Sequence, residues 1–315
     1  MNQIKNVAVI GAGTMGHSLA LLFVQHGFNV WLNDVSDQAL AKAKGLIASG
    51  LETLVELELL PAGQDKAALA RLKTTSSLEE AAGSADLVVE AIVEDKSAKQ
   101  SLFSALDKIC PAHTILASNT SFLDIFKFMQ TDRPDKVVIT HWFHPPHIIP
   151  LVEVVRGPQT SQQTVDCIKG LLEGMGKKPI VITKFLPGFI VNRLQSALRN
   201  EALHLLDNGY CTPEEIDVAT KASFGLRTPI TGVVGRMDFA GLDVTQRVLK
   251  SPDFELAPQM RKSKTLDELV AKGRLGVKNG RGYYDYGGQS PHQIMRERDT
   301  KLVKLMKFLR DLGEL

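Results

Sequence analysis

The sequence predicts an α/β fold, with a doubly wound, mostly parallel sheet in an N-terminal domain and an all-α C-terminal domain. Short apolar runs alternate with helix-like stretches through the first 185 residues, and a glycine-rich loop directly follows the first run. Beyond residue 186 no strand pattern of similar strength recurs. Strands that alternate with helices are typical of a parallel sheet with crossover helices. We therefore predict two domains, residues 1–185 and 186–315.

Composition and charge restrict the class of protein. With 315 residues and 44% hydrophobic content, the chain can fill the cores of two domains. A formal charge of +2 without a basic stripe argues against nucleic-acid binding. No apolar run approaches the roughly 20 residues that a membrane helix needs. We expect a soluble globular protein that binds neither nucleic acid nor a membrane.

The cysteines and the N-terminus bear on the cellular compartment. Cys110, Cys167 and Cys211 are odd in number and widely spaced, which favours reduced, buried thiols over a disulfide framework or a zinc ribbon. The segment MNQIKNVAVIG enters a strand pattern at once and leaves no room for a signal peptide. These features predict a cytoplasmic protein.

Apolar runs predict the strands of the first domain in chain order. They are VAVI (7–10), VWLN (30–33), LVVEAI (87–92), TILAS (114–118), VVITHWF (137–143), PLVEVV (150–155) and IVIT (180–183). The segment 45–65, GLIASGLETLVELELLPAGQD, contains no Lys or Arg and is predicted to form a helical hairpin inserted in this domain.

Helical patterns dominate the second domain. FIVNRLQSALRNEALHLLDNG has apolar residues at helical spacing and is expected to end at Asn208-Gly209. In TPEE, Thr212 is the expected N-cap of the next helix and Glu215 completes a capping box. The segment HQIMRERDTKLVKLMKFLRDLGEL is predicted to form an amphipathic helix whose apolar stripe packs on its own domain or on a second subunit. That stripe comprises Ile294, Leu302, Leu305, Met306 and Leu309.

The segment NVAVIGAGTMGHSLA places glycines directly after the first strand and at the start of a helix. Here Gly11 allows a tight turn, Gly13 lets the backbone approach a pyrophosphate, and Gly16 lets helix and strand pack closely. The helix N-terminus adds free N–H groups and partial positive charge for phosphates. This context predicts a Rossmann-type dinucleotide site, whereas the lack of a GxxxxGK[ST] motif excludes a P-loop NTPase.

The acidic residue after the second strand indicates which dinucleotide is bound. NVWLND ends in Asp34, whose carboxylate can accept hydrogen bonds from both hydroxyls of an adenosine ribose. A carboxylate repels a 2′-phosphate, and Val35 follows instead of Arg or Lys, so we expect NAD rather than NADP. The residues expected to hold NAD are Gly11, Gly13, Thr14, Met15, Gly16 and Asp34.

The segment THWFHPPHIIPLVEVV, residues 140–155, contains histidines at every third position, followed by a glutamate. Its prolines exclude an α-helix. A polyproline-type turn has three residues per turn, so His141, His144 and His147 could share one face and bind a metal. Against a metal, no carboxylate or cysteine with obvious ligand spacing lies nearby, and hydride transfer at an NAD site needs none. We predict no metal here.

The other interpretation of this segment is a general base. His141 ends the strand VVITH at the carboxyl edge of the sheet, where open α/β sheets bind their ligands. An imidazole can remove an alcohol proton near neutral pH while a hydride leaves the carbon. Glu153, a charge in an apolar strand that needs a partner, could fix the tautomer of His141 and stabilise its imidazolium. A structural histidine is the plainer alternative.

Several motifs together resemble the L-3-hydroxyacyl-CoA dehydrogenase family. GAGTMG, VVEAIVED, ASNTS, HWFHPP…LVEVV, PGFIVNR and GRLGVKNGRGYYDY occur in the order found in that family, over about residues 5 to 286. The resemblance implies a homodimer of two-domain subunits that uses NAD to oxidise the 3-hydroxyl of an acyl-CoA, as in fatty acid metabolism. The substrate and the dimer contacts are then expected in the helical domain.

The resemblance also implies roles for matching residues. His141 resembles the catalytic base, Glu153 its partner, and Ser121 a residue that hydrogen-bonds the reacting oxygen. Asn192 resembles a substrate-contacting asparagine, while Glu94 and Lys99 match positions near the nicotinamide. Each has a structural alternative: Ser121 or Asn119 as the cap of a helix after TILAS, Asn192 as a cap or local bridge at a helix start, and Glu94 and Lys99 as solvated charges.

Departures from the family pattern concern the substrate. His144 replaces the usual asparagine of HFFNP, a usual Gly-Pro pair is altered within GLRTPITGVVGRMDFAGLD, and the hairpin lacks the family's basic residues towards CoA. PPHIIPLVE and the extended C-terminus also resemble relatives that act on free hydroxy acids, such as L-gulonate and carnitine dehydrogenases, and lambda-crystallin. An acyl-CoA is the leading expectation. The alternatives are a small non-CoA hydroxy acid and a non-catalytic NAD-binding protein.

Overall fold

The computed structural model describes residues 4–253 and 255–315, so the first three residues of the predicted first domain lie outside the described part. The chain divides into two compact units, Met1–Phe189 and Ile190–Leu315. The first contains every strand of the sheet, and the second is helical. The predicted α/β class with an all-α second domain is confirmed.

The first unit is built on an eight-stranded sheet in the order β3-β2-β1-β4-β5-β6-β7-β8. All neighbouring strands are parallel except β6 and β7, which are antiparallel. The strands are β1 Asn6–Ile10, β2 Asn29–Asn33, β3 Leu72–Thr75, β4 Leu87–Glu90, β5 Ile115–Ser118, β6 Val137–Trp142, β7 Leu151–Arg156 and β8 Lys178–Ile182.

Helices cover both faces of this sheet. In β1, Val7 and Val9 belong to one buried cluster, while the alternating Ala8 and Ile10 belong to a second. A strand buried on both faces requires a layer of helices on each, as in doubly wound folds. The helices of this unit are α1 Thr14–Gln25, α2 Asp37–Glu56, α3 Gln64–Leu69, α4 Leu78–Ala82, α5 Lys96–Ile109 and α6 Gln162–Gly174.

The second unit consists of helices joined by short connections. Thr212 and Glu215 form the predicted capping box, and Asp207 links two helices by accepting hydrogen bonds from the Ser263 hydroxyl at 2.9 Å and the Lys264 amide at 3.0 Å. The helices are α7 Val191–Asp207, α8 Pro213–Ala222, α9 Phe224–Thr231, α10 Val233–Ala240, α11 Leu242–Leu249, α12 Lys264–Ala271 and α13 Pro291–Asp311. Among the described residues, no helix is long and apolar enough to cross a membrane.

Two local predictions need correction, and one strand has no counterpart in the sequence-based prediction. The sequence gives no strand prediction for β3, because LKTT contributes a single apolar residue to an edge strand. The helical hairpin, predicted over residues 45–65, begins earlier. Its first helix, α2, starts at Asp37 with Ser36 as its N-cap, and its second helix is α3. In α13 the buried residues are Val303, Met306 and Leu309, whereas Leu305 is 48% exposed, so the predicted stripe is partly wrong.

Candidate active site

His141 and Glu153 lie opposite each other on β6 and β7. Their direct cross-strand register places both side chains on one face of the sheet. His141 Nδ1 lies 2.7 Å from Glu153 Oε2, and the side chains are 5% and 0% exposed. A carboxylate only accepts hydrogen bonds, so this contact places a proton on Nδ1 and leaves Nε2 as the basic nitrogen. The pair therefore has the arrangement of a base and its orienting group.

Two aromatic side chains surround the imidazole of His141. The Phe143 ring lies 4.7 Å from it edge to face, and the Phe189 ring lies 5.2 Å away. Phe189 is fully buried. These apolar neighbours limit water around the His141–Glu153 pair, which strengthens the interaction between the two groups.

The glycine loop has the shape of a pyrophosphate cradle. A Cβ on Gly11 would lie 2.6 Å from the Ala91 carbonyl oxygen, and one on Gly16 would lie 1.6 Å from the Gly11 carbonyl oxygen. By contrast, a Cβ on Gly13 would meet nothing within 4 Å. Gly13 precedes α1, whose first turn, Thr14 and Met15 included, has no acidic residue. Open space beside a helix N-terminus without negative charge fits a bound pyrophosphate.

Asp34 follows β2 and supports the same loop. Its Oδ2 accepts a hydrogen bond from the Ala12 amide at 2.8 Å, and its Oδ1 accepts one from the Ser36 amide at 3.0 Å. The carboxylate is thus fixed beside the glycine loop, with lone pairs left for ribose hydroxyls. This position fits the adenosine half of NAD.

Glu94 and Lys99 lie near Ser121 at the carboxyl ends of β4 and β5. Lys99 Nζ is 3.2 Å from Glu94 Oε2, and the Lys99 side chain is 1% exposed, so the alternative of a solvated lysine is wrong. Glu94 Oε1 accepts hydrogen bonds from the Thr120 hydroxyl at 2.5 Å and from the Ser121 amide at 2.9 Å. Burial raises the pKa of Glu94, but the Thr120 hydrogen bond, the Lys99 charge and the Ser121 amide together hold it below its usual range.

Ser121, Asn192 and the histidines after His141 are the remaining residues predicted for the site. No α-helix starts at Ser121, so the cap alternative for it is wrong; only a short 3₁₀ turn, Ile125–Lys127, follows. Asn192 lies in the first turn of α7, in the second unit. His141 is buried, His144 is exposed and His147 is half-buried, so the three histidines lie in different environments. The described residues contain no group of three or more His, Cys, Asp or Glu that could hold a metal ion.

One buried charge at this edge is absent from the sequence-based set. Glu90 ends β4, is 0% exposed, and lies with its Oε1 2.5 Å from Lys99 Nζ. The sequence contains a signal for Glu90 in LVVEAI, because a charged residue within an apolar run needs a partner. The same reasoning selects Glu153.

Comparison with known proteins identifies the family. Residues 6–185 match the model of the 3-hydroxyacyl-CoA dehydrogenase NAD binding domain, and residues 188–286 match that of the 3-hydroxyacyl-CoA dehydrogenase C-terminal domain. The human mitochondrial hydroxyacyl-coenzyme A dehydrogenase is 38% identical over 292 residues, which cover 90% of this chain and 91% of that protein.

A second type of relative matches nearly the whole chain. The 5-formyl-3-hydroxy-2-methylpyridine 4-carboxylate 5-dehydrogenase of Mesorhizobium japonicum is 32% identical over 308 residues, covering 98% of this chain and 99% of that protein. A crystal structure of an enzyme of this activity, described as an NAD+ dependent dismutase, superposes with a TM-score of 0.86 at 31% identity, covering 98% of this chain and 99% of that one.

Proposed function

Since the chain belongs to the 3-hydroxyacyl-CoA dehydrogenase family of NAD-dependent oxidoreductases, we propose that it oxidises a secondary hydroxyl group reversibly, with His141 as the general base. The observation that carries this proposal is the buried His141–Glu153 pair at the carboxyl end of β6. A non-catalytic NAD-binding protein would not need such a pair. We therefore favour an enzyme over a non-catalytic NAD-binding protein.

The proposed roles follow from the chemistry of the side chains. His141 Nε2 accepts the hydroxyl proton as the C–O bond gains double-bond character, and Glu153 stabilises the resulting imidazolium. Ser121 and Asn192 donate hydrogen bonds to the reacting oxygen, on which negative charge develops. The glycine loop and Asp34 hold NAD, with Glu94 and Lys99 on its nicotinamide side. When bound, NAD accepts the hydride that leaves the carbinol carbon.

Two substrate classes fit this chemistry, and the first is an L-3-hydroxyacyl-CoA, which would place the enzyme in fatty acid metabolism. Its support is the family itself and the identity to hydroxyacyl-coenzyme A dehydrogenases. Against it, the segment 45–65 carries Glu52, Glu56, Glu58 and Asp65 and no Lys or Arg. The phosphates of CoA gain no attraction from such a segment.

The second class, a small free hydroxy acid, is the one that we favour. The family model ends at residue 286, so α13 lies beyond it, whereas the match to the Mesorhizobium enzyme covers 98% of this chain and thus most of α13. That relative is named for a pyridine carboxylate, which is not a CoA thioester. The acidic hairpin, together with the similarity of nearly the whole chain to an enzyme named for a pyridine carboxylate, supports a substrate that is not carried on CoA.

The direct test compares the two classes on purified protein with NAD+. We expect at least one free acid among 3-hydroxybutyrate, L-gulonate and L-carnitine to give a kcat/KM at least about tenfold above that of 3-hydroxybutyryl-CoA, a difference of about 1.4 kcal/mol in transition-state binding. Preference for the thioester by the same margin would overturn the small-acid proposal and support the acyl-CoA class.

A homodimer is proposed from the exposed apolar surface of the second unit. Among the described residues, none in α7 to α12 is buried. Leu226 on α9 and Val234 and Phe239 on α10 are 70%, 71% and 83% exposed, and large apolar side chains exposed on consecutive helices indicate a protein contact. We expect light scattering to give twice the 34.5 kDa of one chain; a monomer at micromolar concentration would contradict the dimer.

The cytoplasmic location of the protein stays a prediction.

A further inference from the structure

Glu90 is a buried carboxylate to which the proposed chemistry gives no role. It ends β4, where its register partners are Ile10, the last residue of β1 before the glycine loop, and Ser118, the last residue of β5. It therefore lies at the carboxyl edge of the sheet, beneath the loops that follow three neighbouring strands.

Both oxygens of Glu90 hold residues that face this edge. Oε1 lies 2.5 Å from Lys99 Nζ and accepts a hydrogen bond from the Ile92 amide at 2.9 Å. Oε2 accepts a hydrogen bond from the Ser118 hydroxyl at 2.5 Å. Glu90 and Ser118 are both 0% exposed and Lys99 is 1% exposed. Charge-assisted hydrogen bonds in such a dry environment are strong and directional, so Glu90 fixes its partners tightly.

The contacts continue from Glu90 to the loop that carries Ser121. Lys99 bridges Glu90 and Glu94, and Glu94 accepts hydrogen bonds from the Thr120 hydroxyl and the Ser121 amide. A second link runs through Ser118, whose hydroxyl oxygen accepts a hydrogen bond from the Thr120 amide at 3.2 Å. The loop after β5 is thus held from two sides, and both links start at Glu90.

The topology places this network under one half of the cofactor. In a doubly wound sheet the dinucleotide crosses the point where the strand order reverses, which here lies between β1 and β4. Asp34 after β2 marks the adenosine half, so the nicotinamide half extends over β4 and β5. Glu90 lies below the nicotinamide half, because its side-chain hydrogen bonds go to Ile92, Lys99 and Ser118, which lie after β4, on α5 and on β5.

We propose that Glu90 is a positioning residue, which acts through Lys99 and Ser118 to hold the nicotinamide half of the site and the Ser121 loop in their working geometry. The proposal rests on the proposed function for its effect on turnover. Its effect on cofactor binding needs no substrate, so the two proposals can fail separately.

A purely structural buried ion pair makes a different prediction from a positioning residue. Loss of a structural pair loosens the whole unit and weakens every ligand alike. Loss of a positioning residue affects only ligands that reach β4 and β5. ADP-ribose and NADH separate these cases, because ADP-ribose contains the adenosine diphosphate and lacks the nicotinamide.

The experiment uses the full-length Glu90→Gln variant, which keeps the shape of the side chain and removes its charge. We expect its affinity for NADH to fall at least about tenfold, while its affinity for ADP-ribose stays within about twofold of wild type, as calorimetry measures. The kcat for the best substrate should fall by a similar factor. Glu173→Gln, which removes an exposed carboxylate paired with Lys169 on α6, is the matched control and should change neither affinity.

Equal losses for NADH and ADP-ribose, or no loss for either, would overturn the proposal. If Glu90→Gln does not fold, Ser118→Ala decides instead, because it leaves the Glu90–Lys99 pair in place and removes only the hydrogen bonds of the Ser118 hydroxyl to Glu90 and from the Thr120 amide. A selective loss of NADH affinity of about threefold or more in Ser118→Ala supports the positioning role, and unchanged binding of both ligands overturns it. Absence of turnover in the wild type, with the selective binding loss intact, would count against the proposed reaction alone.

Discussion

Replacing His141 with alanine is expected to lower kcat by about 10³-fold, because a positioned general base contributes roughly 10²–10⁴-fold to a proton-transfer step. The imidazole is held at 2.7 Å from Glu153 and packs against Phe143 and Phe189, so a water molecule in its place would lack this fixed orientation. His141 lies on β6, apart from the glycine loop and Asp34. The affinity for NADH should therefore stay within about threefold of wild type.

A histidine elsewhere on the sheet provides the control. His113 lies before β5, at the amino edge of the sheet, where its side chain is 49% exposed and pairs with Asp86. The His113→Ala variant should keep kcat within about twofold, since exposed ion pairs contribute little. Turnover by His141→Ala within about tenfold of wild type would show that another group removes the proton.

The His141–Glu153 contact can be predicted from the sequence because the two residues lie close together in the chain. Both residues lie in short apolar strands close in the chain, and a buried charge within such a strand needs a partner. The antiparallel pairing of β6 and β7 then brings them into direct register. The glycine loop is predictable for a similar reason, because strand, turn and helix are contiguous there.

The Glu90 network was harder to predict, because its members come from distant parts of the chain. Glu90, Lys99 and Ser118 become neighbours only when β4, α5 and β5 pack together. A lysine such as Lys99 is ordinarily expected at the surface, because lysines are almost never fully buried unless they are paired. The apolar context of Glu90 announces the need for a partner but does not say which residue provides it.

Edge and terminal elements were missed for physical reasons of another kind. β3 pairs only with β2, so its four residues need no apolar pattern on both faces to form a strand. In α13, choosing the large leucines selects Leu302 and Leu305, whereas the buried set is Val303, Met306 and Leu309. The buried residues lie three apart, and the side-chain size does not reveal which of two adjacent stripes is covered.

Two glycine substitutions in the loop after β1 should have opposite consequences for stability and for binding. In Gly13→Ala the new Cβ meets no atom within 4 Å, and the φ of −70° suits alanine. Stability should therefore fall by no more than about 1 kcal/mol, the loss expected because glycine is preferred over alanine at an N-cap. The methyl group occupies the space proposed for the pyrophosphate, so we expect the Kd for NADH to rise at least about tenfold.

Gly16→Ala should instead unfold the first unit at a lower temperature. Gly16 lies inside α1, where alanine ordinarily stabilises a helix by about 1 kcal/mol relative to glycine. Here the Cβ would lie 1.6 Å from the Gly11 carbonyl oxygen and 2.7 Å from its carbon, both backbone atoms that cannot rotate away. The helix must move off β1, which costs about 1–3 kcal/mol or more and exceeds the gain in helix propensity.

Calorimetric unfolding and NADH titration of both variants test this pair of expectations together. A clearly lower Tm for Gly16→Ala, with a Tm for Gly13→Ala close to that of wild type, would assign Gly16 to packing and Gly13 to ligand binding. A Gly13→Ala variant that binds NADH as wild type does would mean that the pyrophosphate lies elsewhere. A Gly16→Ala variant with a raised Tm would mean that helix propensity prevails and that α1 is not in close contact with the loop.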